Sequence, residues 1–483
     1  MATTNSMTAD ERIKRFLPWM VAVAFFMQSL DTTILNTAVP AIAQAMQVAP
    51  LDVKSVLASY TLSLAVFIPI SGWLADRFGT RRVFASAIGI FTLGSMLCGL
   101  ATNLEVLVAC RVLQGVGGAM MMPVGRTTLA RTFDKADFVR AMSFVAIPSL
   151  IGPMVGPVAG GLMVAYLDWR AVFYVNVPVG LLGLYFVSRH LPDYRETETH
   201  PLDFPGLVLF GGGIALLSYV LEVFGEHRLS IVEIVGLTVL AAAMLAAYGV
   251  RTRLTRFPLL DLGLFKVRTF RAAVNGGFFT RLGLGGIPFL FPLLYQIGLG
   301  FTPVQSGLLV LPQAIASMGI KSFVPAILTR LGYRNVLVGN TLIVGVMILS
   351  FAAVGADTPI WQIVAQAFIL GFFTSMQYSA MNTLVYADVT GSRTSAASTI
   401  SATGQQLAIS FGVAGAALIA QVFVPPSLHS HPGAIIDGVQ QAFLALGVLT
   451  ILSSVVFMEL KASDGEDLSQ HDAAHHHGHA HDH

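Results

Sequence analysis

The stretch GWLADRFGTRRVF, residues 72–84, decides the fold because it is a short charged block between two long apolar runs. Its charged side chains are Asp76, Arg77, Arg81 and Arg82. Such side chains are costly in hydrocarbon, so the chain must leave a membrane here and turn back at once. Gly72 and Gly79 give the backbone freedom that a tight reversal needs. We therefore predict a loop between two helices, and its excess of arginines indicates the cytoplasmic side.

The chain as a whole is far more apolar than a soluble domain. Of its 483 residues, 55% are hydrophobic and 11% are charged, and the mean hydropathy is +0.72. Charged residues make up roughly a quarter of an ordinary soluble domain. The apolar runs are too long and uniform for the strands of a barrel, so we predict an all-α integral membrane protein. Cys98 and Cys110 have no metal or redox spacing and are interpreted as packing residues.

Fourteen apolar runs are long enough to cross a bilayer, which takes roughly 20 residues of helix. We number them spans 1 to 14, with predicted limits 16–40, 53–74, 83–101, 104–125, 141–164, 170–188, 204–223, 229–250, 272–297, 304–325, 336–355, 359–383, 397–421 and 435–459. An even number of spans places both termini on one side. Most cationic residues then fall on that side, which identifies it as cytoplasmic. The exceptions are Lys54, Arg170 and Arg228 on the opposite side, and Arg111, Arg281 and Lys321 within spans.

The charged block has a weaker copy later in the chain. SGWLADRFGTRRVF at 71–84 is echoed by VPAILTRLGYRNVL at 324–337, in which Thr329 replaces Asp76. The first copy follows span 2 and the second follows span 10, which predicts two six-helix halves separated by a two-helix insert. The predicted division is a cytoplasmic N-terminal segment (1–15), a first half (16–190), the insert (204–250), a basic cytoplasmic linker (251–271), a second half (272–460) and a His-rich cytoplasmic tail (461–483).

Two of these segments have unusual compositions. The linker, RTRLTRFPLLDLGLFKVRTFR, mixes apolar and cationic residues, which suits a segment lying on the inner membrane surface. The tail ends in HDAAHHHGHAHDH, whose imidazoles will bind divalent metal in vitro. We interpret the tail as disordered chain without a role in transport, or as a tag remnant. No metal site and no cofactor are predicted.

Asp31 and Arg111 lie deep inside spans of the first half, where ionised groups are costly and are therefore functional candidates. At about 1.5 Å per residue, Asp31 lies about 22 Å from the cytoplasmic start of span 1, and Arg111 lies about 10 Å from the outer start of span 4. In a hydrocarbon core of about 30 Å these depths nearly coincide. A cation at this level holds a carboxylate ionised, and its movement lets the carboxylate take a proton. We predict that Asp31 carries the proton and Arg111 regulates it; the alternative is a permanent ion pair that locks spans 1 and 4.

Other polar or adaptable side chains within spans are candidates for a substrate cavity. They are Gln28, Asn36, Gln114, Met121, Arg281, Gln313, Lys321, Gln377, Asn382 and Gln405. Charges and dipoles orient a solute, and a polarizable Met side chain suits loosely specified substrates. A transmembrane Gln or Asn is also common as a hydrogen-bonding contact between helices, and Met121 can equally serve packing.

Span 5 contains GPMVGPVAGG, residues 152–161, with two Gly-Pro steps four residues apart. Proline kinks a helix, and glycine permits close approach of a neighbouring backbone. We expect this helix to bend and slide, and we assign conformational change to it and to the block at 72–84. The residues so assigned are Gly72, Asp76, Arg77, Gly79, Arg81, Arg82, Gly152, Pro153, Gly156, Pro157, Gly160 and Gly161.

Several of these motifs resemble those of a known family. The pattern GxLADRxGxRR resembles the loop signature of the major facilitator superfamily of secondary transporters. LDTTILNTAVP in span 1 and RVLQGVGGA in span 4 resemble signatures of its drug:proton antiporters, in which the span 4 arginine is linked to proton coupling. GPMVGPVAGG resembles a signature found chiefly in its exporters, and DWRAVFYVNVPVG resembles its fourteen-helix branch. The resemblance covers the whole chain and is strongest in the first 190 residues.

The resemblance implies a major facilitator fold of two six-helix halves plus two inserted helices. It also implies a proton-coupled antiporter that exports small organic molecules or drugs across the cytoplasmic (inner) membrane. The expected partners are a small-molecule substrate, protons and the lipid bilayer, with no nucleic acid and with a monomer as the expected state.

Two other functions stay open. An exporter of an anionic solute, such as an organic acid or its metal chelate, would suit spans in which cations outnumber carboxylates. A membrane sensor or lipid-handling protein could use the same fold without export. An enzyme is not predicted, because the sequence has no nucleophile-base spacing, GxxxxGK loop or HExxH helix.

Overall fold

The computed structural model describes residues 9–197, 199–224, 229–423 and 432–465. Within these ranges, fourteen helical spans are long and apolar enough to cross a membrane. Their bounds are Ile13–Met46, Pro50–Phe78, Thr80–Leu100, Leu104–Thr132, Arg140–Tyr166, Ala171–His190, Phe204–Phe224, Ile231–Leu254, Arg268–Gly298, Pro303–Ser322, Tyr333–Phe351, Ile360–Leu384, Thr394–Phe423 and Gly433–Phe457. The predicted all-α fold with fourteen spans is confirmed. The His-rich tail, from residue 466 onward, lies outside the described residues.

Three of these spans consist of shorter helices in succession. Span 1 is formed by the helix Ala9–Ile34, a 3-10 turn at Asn36–Ala38 and the helix Val39–Met46. Span 6 is formed by the helices Ala171–Tyr174 and Asn176–His190. Span 9 is formed by the helices Arg268–Gly285 and Ile287–Pro292 and a π-helical turn at Leu293–Gly298. The second helix of each has a proline near its start, at Pro40, Pro178 and Pro288, where a missing N–H removes no helical bond. The main helices of spans 2, 5, 10 and 14 are Lys54–Phe78, Lys135–Tyr166, Pro303–Gly319 and Pro432–Phe457, of which the second and fourth begin before their spans. A short helix, Val324–Leu331, follows span 10.

The charged block at 72–84 reverses the chain over a single residue. Span 2 continues to Phe78, span 3 begins at Thr80, and Gly79 between them has a φ of 95°. Side chains with a Cβ rarely adopt this conformation, and a Cβ at Gly79 would also lie 2.3 Å from Asp193 Oδ1. Gly72 does not contribute to the reversal, contrary to prediction, because it lies inside the helix of span 2.

The weaker copy of the block has the same backbone geometry. Gly332 has a φ of 74° and separates the helix Val324–Leu331 from span 11, which begins at Tyr333. Each copy therefore reverses the chain at one glycine in the left-handed region. This shared geometry supports the internal repeat found in the sequence.

Spans 1–6 pack mainly against one another, and so do spans 9–14. Two pairs of spans form most of the contact between these sets: span 2 lies against span 13, and span 5 lies against span 10. The far-side part of span 1 also contacts spans 9 and 10. Span 2 of the first half corresponds to span 10 of the second half, and span 5 corresponds to span 13. Exchanging the two halves therefore turns each of these contacts into the other. The arrangement is therefore that of two related halves around a pseudo-twofold axis along the membrane normal.

Spans 7 and 8 pack on each other beside the two halves. Span 7 contacts spans 2 and 13, whereas span 8 is largely exposed, with Val232 and Leu254 each 81% accessible. An extended exposed apolar surface on a membrane-spanning helix indicates contact with lipid. The pair therefore lies at the periphery, with span 8 facing the bilayer.

The buried apolar core joins the halves on one side of the molecule. We call the side on which span 1 begins the near side, and the opposite side the far side. On the far side, one cluster contains residues of both halves, including Ile34, Phe173, Phe291 and Phe443. On the near side, one cluster surrounds Phe84 in the first half. A separate cluster surrounds Phe270 in the second half and also includes Ala65 of span 2 and Phe210 of span 7. The halves therefore share one continuous cluster on the far side, whereas on the near side each half has its own cluster.

Candidate functional site

Asp31 and Arg111 meet inside the first half. Arg111 Nη1 donates a hydrogen bond to Asp31 Oδ2 over 2.7 Å, and each side chain is 2% exposed. Arg111 Nε donates to the Val56 carbonyl oxygen over 3.2 Å, and the guanidinium carbon lies 4.2 Å from the centroid of the Tyr60 ring. Both charges are shielded from water, so removing one partner would leave the other uncompensated. The two residues do lie at one level, as the depths counted along spans 1 and 4 predict.

Two side-chain amides complete the surroundings of the Asp31 carboxylate. Gln114 Nε2 and Asn176 Nδ2 donate to Asp31 Oδ1 over 2.8 and 2.9 Å. Gln114 Oε1 accepts from Arg111 over 2.7 Å, and Asn176 Nδ2 also donates to Ser95 Oγ over 3.1 Å. Each carboxylate oxygen therefore accepts at least one hydrogen bond. Spans 1, 3, 4 and 6 all contribute a side chain to this network.

Asn176 is absent from the residues that the sequence predicts for the site. It lies in DWRAVFYVNVPVG and is the one amide of span 6. That isolated amide is the signal that could have identified it, but such a residue is more often a simple contact between helices. Its position beside Asp31 follows from the packing of span 6 against span 1, which no local pattern reveals.

Small residues allow the spans around this network to approach closely. A Cβ on Gly115 would lie 2.8 Å from the Tyr60 carbonyl oxygen in span 2, and one on Gly117 would lie 2.5 Å from the Phe91 nitrogen in span 3. The glycines of RVLQGVGGA therefore hold span 4 directly against the backbones of spans 2 and 3. This position places Arg111 between them.

The GPMVGPVAGG segment of span 5 contacts span 1 of its own half and span 10 of the other half. Cβ atoms on Gly152, Gly156 and Gly160 would lie 2.7, 2.1 and 2.3 Å from atoms of span 1, and one on Gly161 would lie 2.4 Å from the Pro303 carbonyl oxygen in span 10. Close backbone approach is therefore found at this segment. Its two prolines, Pro153 and Pro157, lie in a helix that continues over Lys135–Tyr166.

Asp76 in the charged block belongs to an ion-pair network within the first half. Its Oδ1 accepts from Arg131 Nη2 over 2.8 Å, and the same nitrogen lies 2.9 Å from Glu196 Oε1. Arg131 is in the last turn of span 4. The network therefore joins the near-side ends of spans 2 and 4.

The three arginines of the block are placed differently. The Arg81 backbone N–H donates to Asp193 Oδ1 over 3.1 Å, and its side chain lies 4.0 Å from the same carboxylate. Arg77 and Arg82 are exposed, and neither has a carboxylate within 4 Å among the residues that the structure describes. These two arginines are available to contact another surface if the halves move.

A second buried cation lies in the second half. Arg281 Nη2 donates to Asn382 Oδ1 over 2.9 Å, and its guanidinium carbon lies 4.7 Å from the centroid of the Tyr378 ring. Gln405 Nε2 lies 3.4 Å from the same Asn382 oxygen. Arg281 is 5% exposed, and across the described ranges no carboxylate lies within 4 Å of it. The second half therefore holds a desolvated positive charge without a counter-ion.

Three further cavity candidates are buried in separate places. Gln28 is buried in span 1, and its Oε1 has no hydrogen-bond partner in the described part of the chain. Asn36 lies in the 3-10 turn of the same span. Gln377 accepts from Asn340 Nδ2 and donates to Thr341 Oγ1, both in span 11, which makes it a contact between helices.

The remaining candidates lie away from both polar clusters. Met121 is fully buried in the near-side core of the first half. Gln313 is half-buried in span 10, and Lys321 lies in a 3-10 turn at the near end of that span. The predicted residues that the fold brings together are Asp31, Arg111 and Gln114 in the first half, and Arg281, Asn382 and Gln405 in the second.

Fold and site together define a multi-pass membrane transporter built from two related halves, one of which holds a buried ion pair. The sequence profile of the Major Facilitator Superfamily matches residues 21–413 and 276–477. The chain belongs to this superfamily, and it is a transporter and not an enzyme.

Its curated relatives include proteins named multidrug resistance protein MdtD. That of Serratia proteamaculans is 39% identical over 444 residues, which cover 92% of this chain and 93% of the relative. That of Pectobacterium atrosepticum is 38% identical over 445 residues, covering 92% and 95%. That of Escherichia coli is 38% identical over 443 residues, covering 92% and 94%.

Solved structures of transporters share the fold at low sequence identity. The nucleoside transporter NupG has a TM-score of 0.65 at 14% identity, with 92% of this chain and 100% of that chain covered. A POT family transporter in complex with a thioalcohol-conjugated peptide has a TM-score of 0.69 at 13% identity, with 92% and 95% covered. The predicted major facilitator fold is therefore confirmed.

Proposed function

We propose that this protein is a proton-coupled antiporter that exports small organic molecules by alternating access. The observation that carries the proposal is a titratable carboxylate, Asp31, buried inside a transporter between Arg111 and two amides. The names of the relatives support drugs as the substrate class and export as the direction. Asp31 takes up and releases the proton, and Arg111 sets which conformation favours each step.

The packing of the halves supports alternating access. Among the described residues, the hydrogen bonds that join them lie on the far side, where Lys54 Nζ donates to Gln421 Oε1 over 3.0 Å and Gln296 Nε2 donates to the Thr37 carbonyl oxygen over 2.9 Å. On the near side the apolar clusters of the halves are separate. We infer that this conformation opens to the near side, and that the opposite conformation exchanges the far-side bonds for near-side contacts.

The order of steps follows from the charges around Asp31. While Asp31 is ionised, its negative charge attracts Arg111, and the near side is open to substrate. After the halves rock, substrate leaves to the far side, and a proton from that side neutralises Asp31, which weakens the attraction and lets the halves rock back. Rocking back returns the proton to the near side. One carboxylate thereby couples the proton gradient to export.

The test is dye transport by the purified protein in proteoliposomes with an imposed pH gradient. Asp31→Asn is expected to abolish gradient-driven transport and to retain dye binding, because the neutral amide imitates the protonated carboxyl group. Glu105→Gln, which removes an exposed carboxylate at the start of span 4, is the control and should transport normally. Gradient-driven transport by Asp31→Asn at the wild-type rate would refute the proposal.

Single and double variants separate a proton switch from a permanent ion pair. A pair that only locks spans 1 and 4 predicts that each single neutral variant loses folded protein, because one buried charge is left unpaired. It also predicts that Asp31→Asn combined with Arg111→Gln recovers coupled transport. Under our proposal the double variant folds and binds dye but stays uncoupled.

A second candidate is export of an anionic solute, such as an organic acid or its metal chelate. The buried Arg281 favours it, since a carboxylate on the solute would supply the counter-ion that the described residues lack. Arg281→Gln should then reduce uptake of organic anions by about tenfold or more, since a charge-assisted hydrogen bond is lost. Arg256→Gln, which removes an exposed cation of the linker, is the control, and dye transport should change in neither variant.

We also propose that the near side is cytoplasmic, with both termini on it, and that the division into halves, insert and linker holds as predicted. The arginines of the near-side loops support this orientation by the positive-inside rule. Asp76 and Arg77 then act on switching between conformations, because they lie at the near-side end of span 2 and away from Asp31.

A further inference from the structure

A groove on the near side lies where the end of span 8 meets the linker at 251–271. It has a volume of about 1020 Å³ and is lined by the last turns of span 8, the linker and the first turn of span 9. None of its lining residues belongs to the polar clusters around Asp31 and Arg281. We propose that this groove binds one anionic phospholipid of the near-side leaflet. The inference depends on neither the transported substrate nor proton coupling.

Two cations in the groove are available to a phosphate group. Arg253 at the end of span 8 and Lys266 in the linker both line it, and neither has an ion-pair or hydrogen-bond partner in the part of the chain that the structure describes. The other charged lining residues, Asp261 and Arg271, are already held in ion pairs with residues of the second half. The groove therefore presents uncompensated positive charge, which attracts an anionic headgroup.

The rest of the lining is mostly apolar and continues onto the lipid-facing surface of span 8. Val250 on this wall is 59% exposed, and no atom lies within 4 Å of the position of a Cβ on Gly249. Phe265 of the linker contributes a second apolar wall. An acyl chain can lie along span 8 while its phosphate stays level with Arg253, where the span ends. A soluble phosphate ester would leave these walls without a partner, which favours a lipid.

The groove lies where the insert meets the second half. Arg393, which precedes span 13, donates from Nη2 to Asp261 Oδ2 over 2.6 Å and so ties the linker to that half. A headgroup that contacts both Arg253 and Lys266 would therefore bridge span 8 and the second half. The bound lipid would hold the periphery of the protein to a half that moves during transport.

Native mass spectrometry of the purified full-length protein measures the binding directly. Wild type is expected to bind phosphatidylglycerol more tightly than phosphatidylcholine. Arg253→Gln combined with Lys266→Gln should weaken phosphatidylglycerol binding about 25-fold, since each cation at a membrane surface contributes about fivefold to attraction of anionic lipid. The control, Arg195→Gln with Arg256→Gln, removes two exposed cations outside the groove and should bind like wild type.

A third variant tests the apolar wall without a change of charge. Gly249→Leu fills the space along span 8 and should weaken phosphatidylglycerol binding while leaving the protein folded, because that space is open. Equal binding by wild type and the Arg253→Gln, Lys266→Gln variant would overturn the proposal. An equal loss of phosphatidylglycerol binding in the control pair would mean that general surface charge, and not the groove, causes the effect. Displacement of the lipid by glycerol 3-phosphate at matched concentration would assign the groove to a soluble phosphate ester instead.

Discussion

At the scale of single residues, the Asp31 carboxylate is held by donors from two different spans. Arg111 and Gln114 come from span 4, and Asn176 comes from span 6. A small displacement of span 6 would remove one donor and keep the other two. The hydrogen bonding of Asp31 is therefore coupled to helix packing.

Replacing Asn176 tests this coupling. Asn176→Leu introduces an apolar side chain of similar size and removes the donor, so gradient-driven dye transport should fall by about fivefold or more while dye binding is retained, because the network that holds Asp31 loses one hydrogen bond. Ser95→Ala is the control, since it leaves the bond between Asn176 and Asp31 in place. Unchanged transport by Asn176→Leu, or an equal fall in the control, would contradict the assignment.

At the scale of secondary-structure elements, spans 5 and 10 cross at backbone contact on the far side. A Cβ on Gly307 would lie 2.3 Å from the Pro157 carbonyl oxygen. Gly307→Val should therefore force the spans apart and shift the equilibrium between conformations by about tenfold or more toward far-side opening, since overpacking costs about 1–3 kcal/mol. Double electron-electron resonance between labels at positions 44 and 361 should report a longer distance. Gly319→Val in the same span, where the space is open, should not change it.

The ion pair between spans 2 and 4 belongs to the same scale. Asp76→Asn removes one of the two carboxylates that pair with Arg131 at the near-side ends of both spans, in an exposed place where a single ion pair contributes little to stability. We expect slower transport, because one conformation loses its contact, and nearly unchanged substrate affinity. Stopped-flow transport and equilibrium binding measure the two quantities separately. A large loss of affinity would place Asp76 at the substrate instead.

At the scale of the whole molecule, orientation is the property that can be tested most directly. Arg256→Cys, in a background without Cys98 and Cys110, places one thiol on the near side in the linker at 251–271. Impermeant thiol reagents should fail to label it in intact cells and should label it in inverted membrane vesicles. Labelling in intact cells would place the near side outside the cytoplasm.

The depth of a residue in the membrane could be predicted from the sequence, whereas its rotation about the helix axis could not. Asp31 and Arg111 lie at one level because the rise per residue and the thickness of hydrocarbon fix depth. Gln377, like Gln114, is a glutamine within a span, yet its side chain is hydrogen-bonded to span 11 and lies outside both polar clusters. Which neighbour a transmembrane amide meets depends on how helices pack, and that packing is not encoded locally.

The sequence alone determined the fourteen spans, the internal repeat and the side on which cations gather, because each follows from transfer of apolar and charged groups between water and lipid. Tertiary structure alone decided that Asn176 reaches Asp31, that Arg281 has no counter-ion among the described residues, and that the halves meet on the far side. It also assembled the groove around Arg253 from three segments of the chain. These features arise from contacts between residues far apart in sequence, whose geometry is fixed only when the helices pack together.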